Sequence, residues 1–187
     1  MFPTTALLTA SLLALASATP MRRQTTTPQC NPNFEGVAVS IIDNDVSWGV
    51  SPEQAGTVLD RDLFTQPLNA TAHWHVEQTG SFPATYLVKE INHNNLVVAT
   101  DVLNGGLLTL EEIDSTKSTQ IWSISCDVCV QGAASAPNGG KFASGCHIRS
   151  AANELCADVQ PAGTTLGVEP CGQTILQTWD FWTATSA

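Results

Sequence analysis

A short pattern, Gln-x-Trp, stands at Gln120-Ile121-Trp122 and again at Gln177-Thr178-Trp179, with a degenerate form at Ala72-His73-Trp74. Three letters alone are weak evidence, but the same series of features precedes each tryptophan. First comes a stretch that alternates apolar and polar residues: Val37-Ala38-Val39-Ser40-Ile41, Tyr86-Leu87-Val88-Lys89-Glu90-Ile91, and Cys146-His147-Ile148-Arg149. A period of two marks a half-buried strand. Each stretch runs into a polar turn, at Asn44-Asp45, His93-Asn94-Asn95 and Ala152-Asn153-Glu154, and then into a short second strand, which implies a hairpin. A glycine-containing turn then leads to a third apolar piece, in which Leu59, Leu108 and Leu166 hold one equivalent position. With Val39, Val88 and Ile148 taken as the central residues of the first strands, the intervals to the tryptophans are 35, 34 and 31 residues. Each unit supplies about four short strands with one apolar face, which cannot be buried alone, so three units must pack around a shared axis. The expected fold is all-β, with three tryptophans meeting in its core.

The ends of the chain speak for export. An apolar run from Ala6 to Ala16 is followed by Ala16-Ser17-Ala18, the small-residue pattern of a signal peptide cleaved before Thr19. The run is shorter than the roughly 20 residues that cross a bilayer, so no membrane insertion is expected. Residues 1–18 read as a signal peptide and 19–33 as a propeptide or disordered N-terminal arm, with the pair Arg22-Arg23 suited to processing. Residues 34–187 form the single domain. Removing the leader through Arg23 takes two of the seven basic residues and none of the seventeen acids, leaving a charge near −12, which disfavours nucleic acid and anionic membranes as partners. Six cysteines in an exported chain are expected to be paired as disulfides, and Asn69-Ala70-Thr71 is an N-glycosylation sequon. The pair in Cys126-Asp127-Val128-Cys129 has no second copy and is read as part of the disulfide framework rather than as a redox or zinc motif.

From about Phe34 to Trp182 this arrangement resembles the ricin B-type β-trefoil, a lectin-like fold of three pseudo-repeats with a Gln-x-Trp in each. The likeness is strongest in the last unit, where Asn153-Glu154-Leu155-Cys156-Ala157-Asp158 leads through Val168-Glu169-Pro170-Cys171 to Gln177-Thr178-Trp179. The resemblance implies a Cys156 to Cys171 disulfide, whose short loop would contribute about 3 kcal/mol by restricting the unfolded chain. The middle unit has Val97 and Ile113 at the equivalent places, where packing is expected to replace the bridge. Cys129 and Cys146 flank a Gly- and Ala-rich insertion and are expected to clip it shut, leaving Cys30 to pair with Cys126. Sequence alone allows three connectivities for these four cysteines.

In that family a sugar pocket uses an Asp shortly after the first cysteine, an aromatic platform before the second, and an Asn-Gln pair leading into the tryptophan. The resemblance therefore makes Asp158, Glu169 and Gln177 the carbohydrate-binding candidates, with Glu169 standing in place of the aromatic ring and Leu176 in place of the Asn. The middle unit keeps only Gln120, beside Ala99 and Glu111, and the first has Asp62 near the platform position and Ala72 in place of the Gln. Both glutamines are also read as structural donors to a turn. Trp48 and Trp182 lie outside the repeat and serve either as stacking faces or as core. The function implied is a secreted, non-enzymatic, carbohydrate-binding protein with a divergent pocket, glycans or glycoproteins as partners and no cofactor.

Two other classes compete with it: a protease inhibitor using the insertion Gln131 to Gly145 with Lys141 as anchor, and an interaction protein that has lost sugar binding. The chain contains neither Gly-x-Ser-x-Gly nor His-Glu-x-x-His, so nothing in it announces a hydrolase. His73 and His75 would share one face of a strand and are read as exposed strand residues, not as metal ligands.

Overall fold

The computed structural model describes residues 29–43, 46–63, 74–130, 132–160, 163–172 and 175–183. The first unit contributes β1 (Ala38–Asp43), β2 (Val46–Gly49), β3 (Asp60–Leu63) and β4 (Trp74–Gln78). The second contributes β5 (Tyr86–Glu90), β6 (Leu96–Asp101), β7 (Leu107–Glu112) and β8 (Trp122–Ser125). A short β9 (Val128–Cys129) precedes the insertion, and the third unit has β10 (Lys141–Ser150), β11 (Cys156–Val159), β12 (Leu166–Glu169) and β13 (Trp179–Thr183). The outer strands of the units close a ring by antiparallel pairing, in the order β1, β4, β5, β8, β10, β13 and back to β1. Closure leaves this six-stranded barrel without an edge. The inner strands form three hairpins, β2–β3, β6–β7 and β11–β12, which join one another through Val58 to Thr109, Asp60 to Thr165, and Gly167 to Leu107. A barrel capped by three such hairpins is a β-trefoil.

The threefold landmarks are all in the core. Trp74, Trp122 and Trp179 are fully buried, as are Leu59, Leu108 and Leu166. Each repeat tryptophan donates its indole N–H to a carbonyl of the same unit's inner strands, Trp74 to Trp48 at 3.2 Å, Trp122 to Val98 at 3.0 Å and Trp179 to Ala157 at 3.1 Å. A buried indole thus satisfies its donor while its ring fills the barrel. The strand register corrects one landmark. Val88 faces Val76 and Ile148 faces Ile124, each two residues beyond a repeat tryptophan, and the residue facing Phe181 in the same way is Ile41. Ile41, not Val39, is therefore the first unit's central residue; the shift is by two, so both stay on the inward face and both are buried.

The disulfides are Cys156–Cys171, Cys126–Cys146 and Cys30–Cys129. The last two differ from the expected Cys129–Cys146 and Cys30–Cys126. Register gives the reason: β8 pairs with β10 through Ser125 and His147, so the next residues along, Cys126 and Cys146, come opposite each other inside the core, while Cys129 pairs with Ala143. Cys30 does meet Cys126, but through backbone hydrogen bonds of 2.9 and 2.8 Å; its side chain joins Cys129. Residues 29–33, assigned from sequence to the arm, thus run along the domain, and Phe34 plugs the barrel with edge-on contacts to Tyr86, Phe142 and Phe181 at 4.9–5.6 Å between centroids. In the middle unit Val97 is buried but Ile113 is 43% exposed, so an apolar pair does not replace the missing bridge; the turn there is held by Gln120.

Candidate functional site

The third unit brings its predicted residues onto one face of the β11–β12 hairpin. Cys156 stands opposite Glu169, and Asp158 opposite Gly167. Gln177 comes from the 3-10 turn that precedes β13 and donates its amide to Asp158 Oδ2 at 3.1 Å and to the Pro170 carbonyl at 3.0 Å, while its Oε1 accepts the Gly172 N–H at 2.7 Å. Asp158 and Gln177 are both buried, at 1% and 0% exposure, whereas Glu169 is partly exposed. Gly167 leaves space beside Asp158, and the Gln160 amide fills it: a Cβ at Gly167 would lie 2.2 Å from Gln160 Nε2. The acid and amide are therefore assembled and buried, and the space over Gly167 is taken by Gln160.

In the middle unit Gln120 repeats the clamp, accepting the Asp114 N–H at 2.8 Å and donating to the Glu112 carbonyl at 2.9 Å and to Glu111 at 3.2 Å. Ala99 replaces the acid and is buried, and Glu111 is engaged by Lys117 at 2.9 Å. The glutamine of the repeat thus holds the turn in both units, with or without an Asp beside it. Asp62 covers Gly49 across the β2–β3 pair, much as Gln160 covers Gly167. Ala72, His73 and Asn69 lie outside the described residues, as do residues 1–18, read from the sequence as a signal peptide, and Arg22-Arg23.

Other concavities were not visible in the sequence, because loops and strand faces distant in the chain build them. A groove of about 420 Å³ where the first and second units meet is lined by Asn33, Glu35, His75, Glu77, Lys89 and Asn94, among others. His75 faces Lys89 across β4–β5, and Lys89 pairs with Glu77. A second cavity, of about 320 Å³, lies beside the Cys156–Cys171 bridge and includes Ser125, His147 and Arg149. Burial, followed by the charges of Asp180 and Asp158, pushes the Asp43 carboxyl above the usual carboxylate range.

The remaining tryptophans do not provide an open platform. Trp48 is 1% exposed and packs edge-on against Trp74 and Trp179, and Lys141 lies over Trp182 at 5.6 Å while pairing with Asp180 at 3.0 Å. Lys141 is thereby fixed in a strand, and the preceding turn is tied down by Thr183, whose hydroxyl donates to the Pro137 carbonyl at 2.7 Å.

No family model matches the chain, and no curated protein matches it in sequence. Solved structures do resemble it. A mosquitocidal holotoxin aligns with 79% of this chain at 12% identity and a TM-score of 0.59. The cytolethal distending toxin from Actinobacillus actinomycetemcomitans aligns with 82% at 13% identity and 0.57, over 95% of its own chain. The Polyporus squamosus lectin aligns with 80% at 16% identity and 0.53. The chain spans only 17% of the holotoxin and half of the lectin. A designed threefold-symmetric protein, ThreeFoil, aligns over 96% of its length with a TM-score of 0.53. At these identities the likeness is one of fold: the chain is a β-trefoil.

Proposed function

We propose that the protein is an exported, non-enzymatic, carbohydrate-binding protein of lectin-like fold, with its glycan contact on the third unit. The observation that carries this reading is the Asp158–Gln177 hydrogen bond, set beside the side-chain-free Gly167 on the hairpin face that also presents Glu169. Sugar hydroxyls need fixed acceptors and donors, and an Asp held by a Gln amide is a fixed acceptor. The Polyporus squamosus lectin, similar in fold, was solved bound to a human-type influenza-binding epitope containing Neu5Ac. Three disulfides and an acidic charge suit an extracellular setting. A glycan on this face has to displace the Gln160 amide to occupy the space over Gly167.

A glycan array probed with the disulfide-intact protein tests the reading. Selective binding is expected, weakened at least tenfold by Asp158→Asn, which keeps the side-chain shape, and by Glu169→Ala. Binding that survives both variants but falls with Asn94→Ala moves the contact to the groove between the first and second units. A folded sample that binds no glycan overturns the carbohydrate reading.

A further inference from the structure

The three barrel strands that open the units end in equivalent positions. Trp74 faces Glu90 and Trp122 faces Ser150 in the register, and Asp43 stands at the corresponding end of β1. Ser150 shows what the fold needs there: its hydroxyl accepts the Ala152 N–H at 3.2 Å and caps the turn. A neutral group suffices. Glu90 does the same work, with Oε2 accepting the N–H groups of Asn92 at 2.9 Å and His93 at 2.6 Å, but it places a carboxylate at 0% exposure to do so. Burying a charge is costly unless an opposite charge compensates it.

The surroundings add a second negative group rather than a lysine or arginine. Glu53, from the loop between β2 and β3 of the first unit, reaches across to the β5–β6 turn of the second. The ring Nδ1 of His93 lies 2.9 Å from Glu90 Oε2 and 3.6 Å from Glu53 Oε2. The three ligand atoms all fall within 4.8 Å of one another. Among the described residues the lysine and arginine ion pairs go to Glu77, Glu111, Asp180 and Glu154, and none goes to Glu53 or Glu90. The Asn92 amide donates to Glu53 Oε2 at 3.2 Å and to Glu90 Oε1 at 3.4 Å, and so ties the two carboxylates to one another.

We propose that Glu53, Glu90 and His93 bind a divalent transition-metal ion, with Zn²⁺ as the reference ion. Zinc bonds to imidazole and carboxylate run about 2.0–2.2 Å, so ligand atoms at angles near 90–109° stand roughly 2.9–3.5 Å apart, close to the 2.9 and 3.6 Å separations around His93 Nδ1. One imidazole and two carboxylates favour zinc and its neighbours over calcium, which takes six or more oxygens. Three protein ligands leave a coordination position open towards solvent, where His93 is exposed. The ion would draw both carboxylates and the imidazole to one positive centre and pin the loop of one unit to the turn of the next. This site stands apart from the carbohydrate reading and survives its failure.

The test is calorimetric titration of the untagged, disulfide-intact, chelator-stripped protein with Zn²⁺ and, separately, with Ca²⁺. One saturable Zn²⁺ site per chain is expected. Its affinity should fall at least tenfold in His93→Ala and in Glu53→Gln, both of which alter partly or largely exposed side chains, and should be unchanged in Glu112→Gln, an exposed acid elsewhere. Thermal melts in chelator confirm that each variant folds. Absence of a saturable site, affinity unaltered in both ligand variants, or Ca²⁺ bound as tightly as Zn²⁺ would each overturn the assignment.

Discussion

Gln120 and Gln177 occupy one position of the repeat, and each spends its amide on a turn, the first on Asp114 and Glu112, the second on Gly172 and Pro170. The same economy governs the ends of the first barrel strands, where Asp43, Glu90 and Ser150 are all buried. Their chemistries differ, and so do the consequences. Asp43 has its carboxyl pushed up, first by burial and then by Asp180 and Asp158. A carboxyl whose pKa is higher folded than unfolded supports the fold while protonated, below its unfolded value, and loses that support as pH rises through the folded value. At neutral pH the charged form is therefore a burden. Asp43→Asn, which keeps an acceptor oxygen but carries no charge, is expected to raise the urea midpoint at pH 7, and the gain should shrink as pH falls into the carboxylate range. Urea melts of both proteins at pH 7 and pH 3 check this; an equal gain at both, or a loss at pH 7, removes the electrostatic account.

Among the elements, the N-terminal arm and the insertion before β10 depart furthest from the repeat, and they are stitched to each other. Cys30 from the arm closes a span of 99 residues with Cys129, and Cys126–Cys146 ties β8 to β10 across 20. In the chain-entropy picture the longer closure is worth about 4.7 kcal/mol and the shorter about 3 kcal/mol. Trypsin combined with cleavage before Asp127 separates Cys126 from Cys129. The expected map links the peptide holding Cys30 to residues 127–141 and the peptide ending at Cys126 to residues 142–149; the opposite links would disprove this stitching. The elements also show what the sequence can carry. Strand existence and the tryptophan and leucine positions were legible because burial repeats with the fold's own threefold period. The alternation Val37, Val39, Ile41 fits a strand equally well when slid by two, so the central residue could not be placed without a partner strand. Cysteine pairing was hidden because it follows from the β8–β10 register across an aperiodic insertion. Asp158 and Gln177 were placed through the family pattern, while Gln160, which fills the space over Gly167, carries no motif. Glu53 and His93 lie 40 residues apart on two turns, and only the packing of one unit on the next brings them together.

Over the whole molecule the question is whether three similar units melt as three or as one. The cap gives a physical answer: the Leu59 N–H donates to the Leu108 carbonyl at 2.8 Å and the Leu166 N–H donates to the Leu59 carbonyl at 3.0 Å, so the hairpins of all three units share hydrogen bonds at the axis. The barrel adds a closed ring in which each unit's strands complete the next, and Phe34 plugs it against Tyr86 of the second unit and Phe142 and Phe181 of the third. No unit retains a buried face once a neighbour opens. Unfolding with the disulfides intact is therefore expected to be a single transition, with tryptophan fluorescence and far-ultraviolet circular dichroism giving the same urea midpoint. The tryptophans suit the experiment because Trp48 and Trp74, Trp122, and Trp179 and Trp182 report on the first, second and third units. Leu108→Ala opens a cavity at the axis and should cost about 2–5 kcal/mol, moving both probes together although the change lies in one unit. Probes that separate in this variant, with the second unit lost while the third, closed by Cys156–Cys171, persists, would show that the disulfides rather than the shared cap hold the trefoil together.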